Sequence, residues 1–329
     1  MSLQAKKIRT AVVGVGYLGQ FHAQKYKNTT AVDFIGVCDQ NFTQAEKVAG
    51  DLKVKAFRRP EDLLGQVDAV TIAASTLSHY ELAELFLKNG IHVNVEKPIA
   101  AELHQAEKLV ELARKNKLKL AVGHIERFNP CLQELKKRME VSQDLKSLHL
   151  LRRATFKLRG SDVSVLHDLM IHDIDLVYWL AGSEIESIEA SGLSLVSKEL
   201  DSAYACVKLK NGVVASIEVS RVASEGQRQV RAVLSSGIYS VNSGTQEIEY
   251  VSGVGGLQKA SDAGENPVQI EKWTVDKADA LQKETDAFIQ SIVDDSLCVV
   301  TGEDGLKAMQ AILLIQKQIE KQWTQLAQK

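Results

Sequence analysis

Ile8-Arg9-Thr10-Ala11-Val12-Val13-Gly14-Val15-Gly16-Tyr17-Leu18-Gly19 is the stretch on which the fold turns. Residues 8–15 read as a β-branched strand ending in glycine, and 17–26 read as a helix. Gly14, Gly16 and Gly19 fit GxGxxG, with Tyr17 and Leu18 inside the turn. In a strand–turn–helix setting, such glycines allow a tight turn, close approach to a pyrophosphate and close helix–strand packing. The helix N-terminus then offers N–H groups to phosphate. A second strand, 32–38, ends at Asp39, twenty residues after Gly19. A carboxylate there accepts from the ribose hydroxyls and repels a 2′-phosphate, and no Arg or Lys follows at once in Gln40-Asn41. The reading is an NAD site rather than an NADP site.

Outward from this turn, short apolar runs alternate with helical patterns. Strands are expected at 69–73, 91–95 and 118–122, and helices at 42–52, 79–89 and 103–117. Continuous apolar strands between helices imply a doubly wound parallel sheet, an α/β Rossmann domain over 1–124. After Gly123 the pattern changes. Helices are expected at 129–141 and 165–180, and strands at 147–158, 185–196, 203–209, 213–219, 229–235 and 246–250. Lys210-Asn211-Gly212 is a hairpin signal. Residues 125–329 therefore read as an α+β domain with a mostly antiparallel open sheet. Residues 252–267 read as a loop, and helices at 278–294 and 302–325 close the chain, with room to pack back toward the N-terminal domain.

Asp168, His172 and Asp175 fall at i, i+4 and i+7 on a stretch otherwise apolar nearly all round. That spacing predicts one polar stripe on a buried helix, facing a pocket or an internal hydrogen-bond network. Histidine there suits proton transfer near neutrality, and an aspartate one turn away fixes its tautomer. The two His-Asp pairs cannot converge on one point of a helix, so no metal is expected.

The formal charge of −2 argues against a nucleic-acid partner. No apolar run reaches membrane-spanning length, and the opening Met1-Ser2-Leu3-Gln4-Ala5-Lys6-Lys7 lacks a signal-peptide core. Cys38, Cys131, Cys206 and Cys298 are scattered, as expected of reduced thiols in a cytoplasmic protein.

Further pieces join at Glu96-Lys97-Pro98. With the glycine turn, His22, Thr76-Leu77-Ser78-His79 and Asp-x-x-x-His-x-x-Asp at 168–175, the chain resembles the Gfo/Idh/MocA oxidoreductases. Glu284, Phe288 and the run 300–306 extend the likeness toward the C-terminus. Gly160-Ser161-Asp162 departs from it, since many members carry a run of glycines there.

The resemblance implies that Lys97, Asp168 and His172 meet the reacting carbon. His172 is then the base, Lys97 the orienter and electrostatic partner, and Asp168 positions both. It implies that Thr76, His79, Glu96 and Lys97 join the glycine turn and Asp39 at NAD. Pro98 follows an X-Pro peptide of the usually trans kind.

Glu126-Arg127-Phe128-Asn129-Pro130 is similar to the family's sugar-nucleotide branch, which oxidises C3 of UDP-N-acetylglucosamine. This adds Arg127 and Arg153 to the substrate contacts, with a structural ion pair as the alternative for Arg127. Arg152, Arg153, Lys157 and Arg159 stand as a diphosphate clamp or as solvated strand-edge charges. Rival readings are a free-sugar or cyclitol dehydrogenase and a catalytically silent NAD-binding sensor. The family likeness further implies a homodimer or homotetramer built through the second sheet.

Overall fold

The computed structural model describes residues 7–158, 160–253 and 267–327. Two compact units emerge. One comprises residues up to Ile125 with Asp279–Met309, the other Glu126–Ala278 with residues from Gln310 on.

In the first unit, β1 (Ile8–Val13), β2 (Val32–Cys38), β3 (Lys55–Phe57), β4 (Ala69–Ile72), β5 (His92–Val95) and β6 (Leu120–Val122) form a six-stranded sheet among the described residues. Their order is β3-β2-β1-β4-β5-β6, parallel throughout. Helices α1 (Gly19–Asn28), α2 (Phe42–Leu52), α3 (Thr76–Lys88) and α4 (Leu103–Lys115) connect the strands. Val12, Val37, Val70, Ile72, Val93 and Val95 are fully buried, as strands covered on both faces require. The order reverses between β1 and β4, which opens the crevice where such sheets bind ligands. Helix α7 (Ala280–Val293, the first helix after the second sheet) sends Phe288 and Ile289 into the core that holds Ala23 and Tyr26.

The second unit opens with α5 (Pro130–Ser142). Its sheet runs from β7 (Leu145–Arg153) through β8 (Ile185–Leu193), β9 (Ser202–Leu209), β10 (Val214–Ser220), β11 (Gln227–Leu234), β12 (Ile238–Asn242) and β13 (Glu247–Gly253) to β14 (Val268–Thr274). The spatial order is β14-β13-β12-β11-β7-β10-β9-β8, antiparallel except where β7 lies parallel to β10. Burial alternates along β9 and β11. Ala203, Ala205, Val207 and Leu209 face inward, while Tyr204 and Lys208 face outward, so one face is covered and one open. The Lys210-Asn211-Gly212 turn joins β9 to β10 as a hairpin, with Gly212 at φ +86°.

Three strands escape a reading of hydrophobic pattern. β3 has only three residues, β12 alternates weakly, and β14 is exposed almost throughout. Most of the expected loop at 252–267 lies outside the described residues.

Candidate active site

The turn after β1 is built as its glycines require. Gly14 has φ +82°, and a Cβ there would sit 2.6 Å from the Ala74 nitrogen. A Cβ on Gly19 would overlap the Gly14 carbonyl. A Cβ on Gly16 would meet nothing within 4 Å, so the glycine leaves open space beside the turn. Asp39 lies across from it. One carboxylate oxygen accepts the Val15 N–H and the other the Asn41 N–H, both at 2.8 Å. Each oxygen keeps lone-pair capacity for a ribose hydroxyl.

Gly14, Gly16 and Asp39 line a cleft of about 650 Å³, together with Arg58, Ser75 and Ser78. A glycine cradle, a fixed carboxylate and this volume fit an NAD dinucleotide. Arg58 escaped the sequence reading because β3 did. Phe57 pairs with Cys38, which sets the following Arg58 level with Asp39. Its guanidinium lies 4.6 Å from the centre of the Phe42 ring.

Other expected cofactor residues stand differently. Tyr17 and Leu18 are exposed at 58% and 46%, and neither lines the cleft. Thr76 opens α3, half-buried. His79 is a correction, since it is buried behind the cleft rather than lining it. Its Nδ1 lies 2.8 Å from the Pro98 carbonyl and its Nε2 3.2 Å from the Ala74 carbonyl. Burial lowers its pKa, against the pull of those carbonyls. A neutral ring donates to one of them, which ties the loop after β4 to the turn carrying Lys97. The Lys97–Pro98 peptide is cis, not trans. Glu96 is half-buried, with Oε1 2.8 Å from His22 Nε2 and Oε2 accepting the Lys97 N–H at 3.2 Å.

In the second unit, the expected single helix is interrupted. Leu166–Met170 form a π-helical turn, and α6 (Ile171–Ala181) follows. Asp168 sits on the π turn, exposed, and His172 in the first turn of α6, half-buried. Single π turns recur at functional sites, where they re-aim side chains.

The predicted stripe breaks up here. Asp175 is 1% exposed and takes Arg127 as a bidentate partner, Nε to Oδ2 at 2.9 Å and Nη2 to Oδ1 at 2.6 Å. Asp173, 2% exposed, binds Arg152 through two bonds of 2.9 Å. Arg152 Nη1 also donates to Glu126 at 2.7 Å. Burial alone would lower the Arg152 pKa, yet the two carboxylates hold it well above the ordinary range. His172 is thus followed on α6 by two aspartates, each fastened to a buried arginine.

This corrects the arginine clamp. Arg127 and Arg152 spend their forks on carboxylates. Arg153 alternates to the opposite face of β7 from Arg152 and pairs there with Glu218. It is removed from the face that meets α6. Lys157 is exposed, and Arg159 lies outside the described residues. No cluster of three or more His, Cys, Asp or Glu among the described residues is placed to hold a metal. No helix among them is long and apolar enough to cross a membrane.

Comparison with known proteins adds to this geometry. Residues 8–124 match the oxidoreductase family with an NAD-binding Rossmann fold, and residues 147–240 match the GFO/IDH/MocA C-terminal domain. UDP-N-acetylglucosamine 3-dehydrogenase of Acidithiobacillus ferrooxidans is 36% identical over 95% of this chain and 97% of its own length. A solved structure of that enzyme superposes with a TM-score of 0.87 at 33% identity, covering 96% of this chain and 99% of the other. Myo-inositol 2-dehydrogenase of Thermotoga maritima is 26% identical over 92% of this chain and 93% of its own. Scyllo-inositol dehydrogenase of Lactobacillus casei, solved with NAD(H) and scyllo-inositol, shares the fold with a TM-score of 0.80 at 22% identity, covering 96% of this chain and 98% of that one.

Proposed function

The chain belongs to the Gfo/Idh/MocA oxidoreductase family, and from that premise we propose that it oxidises C3 of UDP-N-acetylglucosamine or a closely related nucleotide-linked amino sugar. The observation that carries this reading is the likeness to the Acidithiobacillus ferrooxidans enzyme along nearly the whole chain, above that to the inositol dehydrogenases. The arginines no longer contribute to it.

Gly14, Gly16 and Asp39 would hold NAD, which supplies a hydride acceptor when bound. The chain's own residues must then handle the substrate hydroxyl. His172 accepts its proton. The Lys97 ammonium hydrogen-bonds the same oxygen and stabilises the negative charge that develops on it. Asp168 orients the donor and acceptor groups. Arg127 and Arg152 hold the helix that bears His172 rather than the substrate itself.

We also place the enzyme in the cytoplasm, in keeping with its four free cysteines, and as a homodimer or homotetramer. Val214, Ile270 and Tyr204 on the open sheet face are 39%, 59% and 45% exposed, which favours a partner there. A monomer at every concentration in light scattering would exclude the oligomer.

The deciding experiment mixes enzyme, NAD and UDP-N-acetylglucosamine and follows absorbance of the reduced cofactor. Turnover with the UDP-sugar and none with myo-inositol or glucose is expected. The reverse pattern overturns the substrate. Lys97→Ala and His172→Ala should each lower kcat by ~10²–10⁴-fold with cofactor binding kept. Near-normal turnover in either removes its role.

A further inference from the structure

Beneath the turn that carries Lys97 lies a buried polar array that the chemistry above does not use. His22 from α1 is 1% exposed, Asn94 from β5 is 2% and Glu284 from α7 is 4%. His22 Nε2 meets Glu96 Oε1 at 2.8 Å, and Asn94 Nδ2 donates to Glu284 Oε1 at 3.3 Å. Three of the array's atoms, His22 Nδ1, Asn94 Oδ1 and Glu284 Oε2, have no hydrogen-bond partner among the described residues. Orphaned polar atoms at this depth are costly, and a cluster of them calls for an explanation.

We infer that Glu284 is a positioning residue for Lys97, acting through the buried His22 and its half-buried partner Glu96. The inference rests on the reading of Lys97 as the residue that meets substrate. The Glu96 carboxylate folds back to accept the Lys97 backbone N–H at 3.2 Å, so its orientation fixes the backbone from which Lys97 projects. Room for that carboxylate comes from Gly123, where a Cβ would lie 2.9 Å from Glu96 Oε2. The other carboxylate oxygen is held by His22, so whatever His22 does is passed to Glu96.

His22 lies between two acids. Burial pushes its pKa down, but the hydrogen bond and charge of Glu96, helped by the charge of Glu284, hold it above the usual imidazole value. Burial pushes Glu96 up, and His22 and the Lys97 charge outweigh that and hold it below the usual carboxylate value. Burial pushes Glu284 up to about 7, with His22 opposing and Glu96 reinforcing the rise. Lys25 and the buried Tyr26, both on α1, are the other charged or titratable groups that act on His22 or respond to Glu284. With Glu284 neutral, His22 answers to the Glu96 carboxylate. With Glu284 ionised, two carboxylates draw on one imidazole, and the hold on Glu96 and the Lys97 turn slackens.

The test compares the full-length wild type with Glu284→Gln, which is isosteric but cannot ionise. Lysines are reductively methylated with ¹³C-formaldehyde, the Lys97 signal is assigned by its loss in Lys97→Arg, and the His22 ring signal by its loss in His22→Gln. The Lys97 signal should show an inflection near pH 7 in wild type that disappears in Glu284→Gln, while the His22 ring, which titrates in its own right, should have its inflection moved to lower pH by loss of the Glu284 charge. Glu284→Asp, which keeps the charge but withdraws it, should move the inflection and not abolish it. It also serves should the Gln variant fail to fold. Identical Lys97 titrations in wild type and variant overturn the inference. In turnover, Glu284→Gln should lower kcat by about 10-fold, with the KM for NAD nearly unchanged and the inflection near pH 7 gone from the kcat profile. A uniform loss of activity with an unaltered profile also overturns it, since that is the mark of a merely structural residue. If wild type turns over no sugar at all, the functional reading fails, while the Lys97 titration still decides the array.

Discussion

Two charged side chains in the dinucleotide cleft pull its specificity in opposite directions. Asp39 is pinned by two backbone N–H groups and turns away a 2′-phosphate, while Arg58 brings a cation to the same cleft. Asp39→Ala should weaken NAD by about 10-fold, the cost of hydrogen bonds to a charged group, and weaken NADP less. Arg58→Ala should widen the preference for NAD by removing the charge available to the extra phosphate. Calorimetric titration with both dinucleotides reads both effects, and equal affinity of the wild type for the two would defeat the assignment to Asp39. The arginines of the second unit divide in the same way, by burial. Arg152→Met strands Asp173 as an unpaired buried carboxylate and leaves Glu126 with Arg228 at 3.6 Å, so a loss of ~3–5 kcal/mol in chemical denaturation is expected. Arg153, 38% exposed on the open face beside Glu218, should cost less than ~1 kcal/mol when changed to Ala.

At the scale of elements, α6 carries the clearest lesson about what a sequence discloses. Its apolar circumference and its aspartates were legible, because burial of a helix demands the first and tolerates the second only when paired. Which of the aspartates are taken up by buried arginines was not legible. The partners of Asp173 and Asp175 are Arg152 and Arg127, more than twenty residues away in sequence on β7 and in the segment before α5. The π turn was equally hidden, because one extra residue per turn leaves no mark on a pattern as apolar as 165–171. By contrast, the glycine turn was legible almost in full. Its requirements are local: a positive φ at Gly14 and no side chain at Gly19. β3 was missed because three residues hold no period, and with it went Arg58. The C-terminal end of α6 follows the local kind of rule. Gly182 takes φ +60° and returns its N–H to the Tyr178 carbonyl at 2.9 Å. A Cβ would meet nothing there, so Gly182→Ala should cost only the left-handed backbone strain, ~1 kcal/mol, with activity retained at temperatures well below Tm. A larger loss in thermal unfolding would mean that the cap also controls the seating of α6.

For the molecule as a whole, stability against pH should be limited by different groups on its two sides. Asp201 is fully buried and bears on the acid side. Burial raises its pKa, but three backbone N–H groups, Ser197 and Arg221 more than reverse that. A folded pKa below the unfolded value of ~3.9 means that its contribution is present above that value. It is lost as pH falls through the folded pKa. Arg221 links the same knot to the Gly160 and Val163 carbonyls ahead of the π turn, so this loop should hold until pH falls through that depressed folded pKa. Glu284 acts with the opposite sign. Its folded pKa of about 7 lies above its unfolded value of ~4.3, so the folded state holds the proton more tightly. Its contribution is therefore complete below the unfolded value and disappears as pH rises through about 7. Other groups titrate over the same range, and a difference measurement removes them. The Tm of wild type minus that of Glu284→Gln, taken at a series of pH values in one buffer system and at one salt concentration, should fall steadily across that window and level off above it. His22 remains in both proteins, so the difference reports Glu284 together with its coupling to His22. A difference that stays flat from mildly acidic to alkaline pH would mean that Glu284 ionises alike in the folded and unfolded chains. A difference that rises with pH would mean that the folded protein favours its carboxylate form.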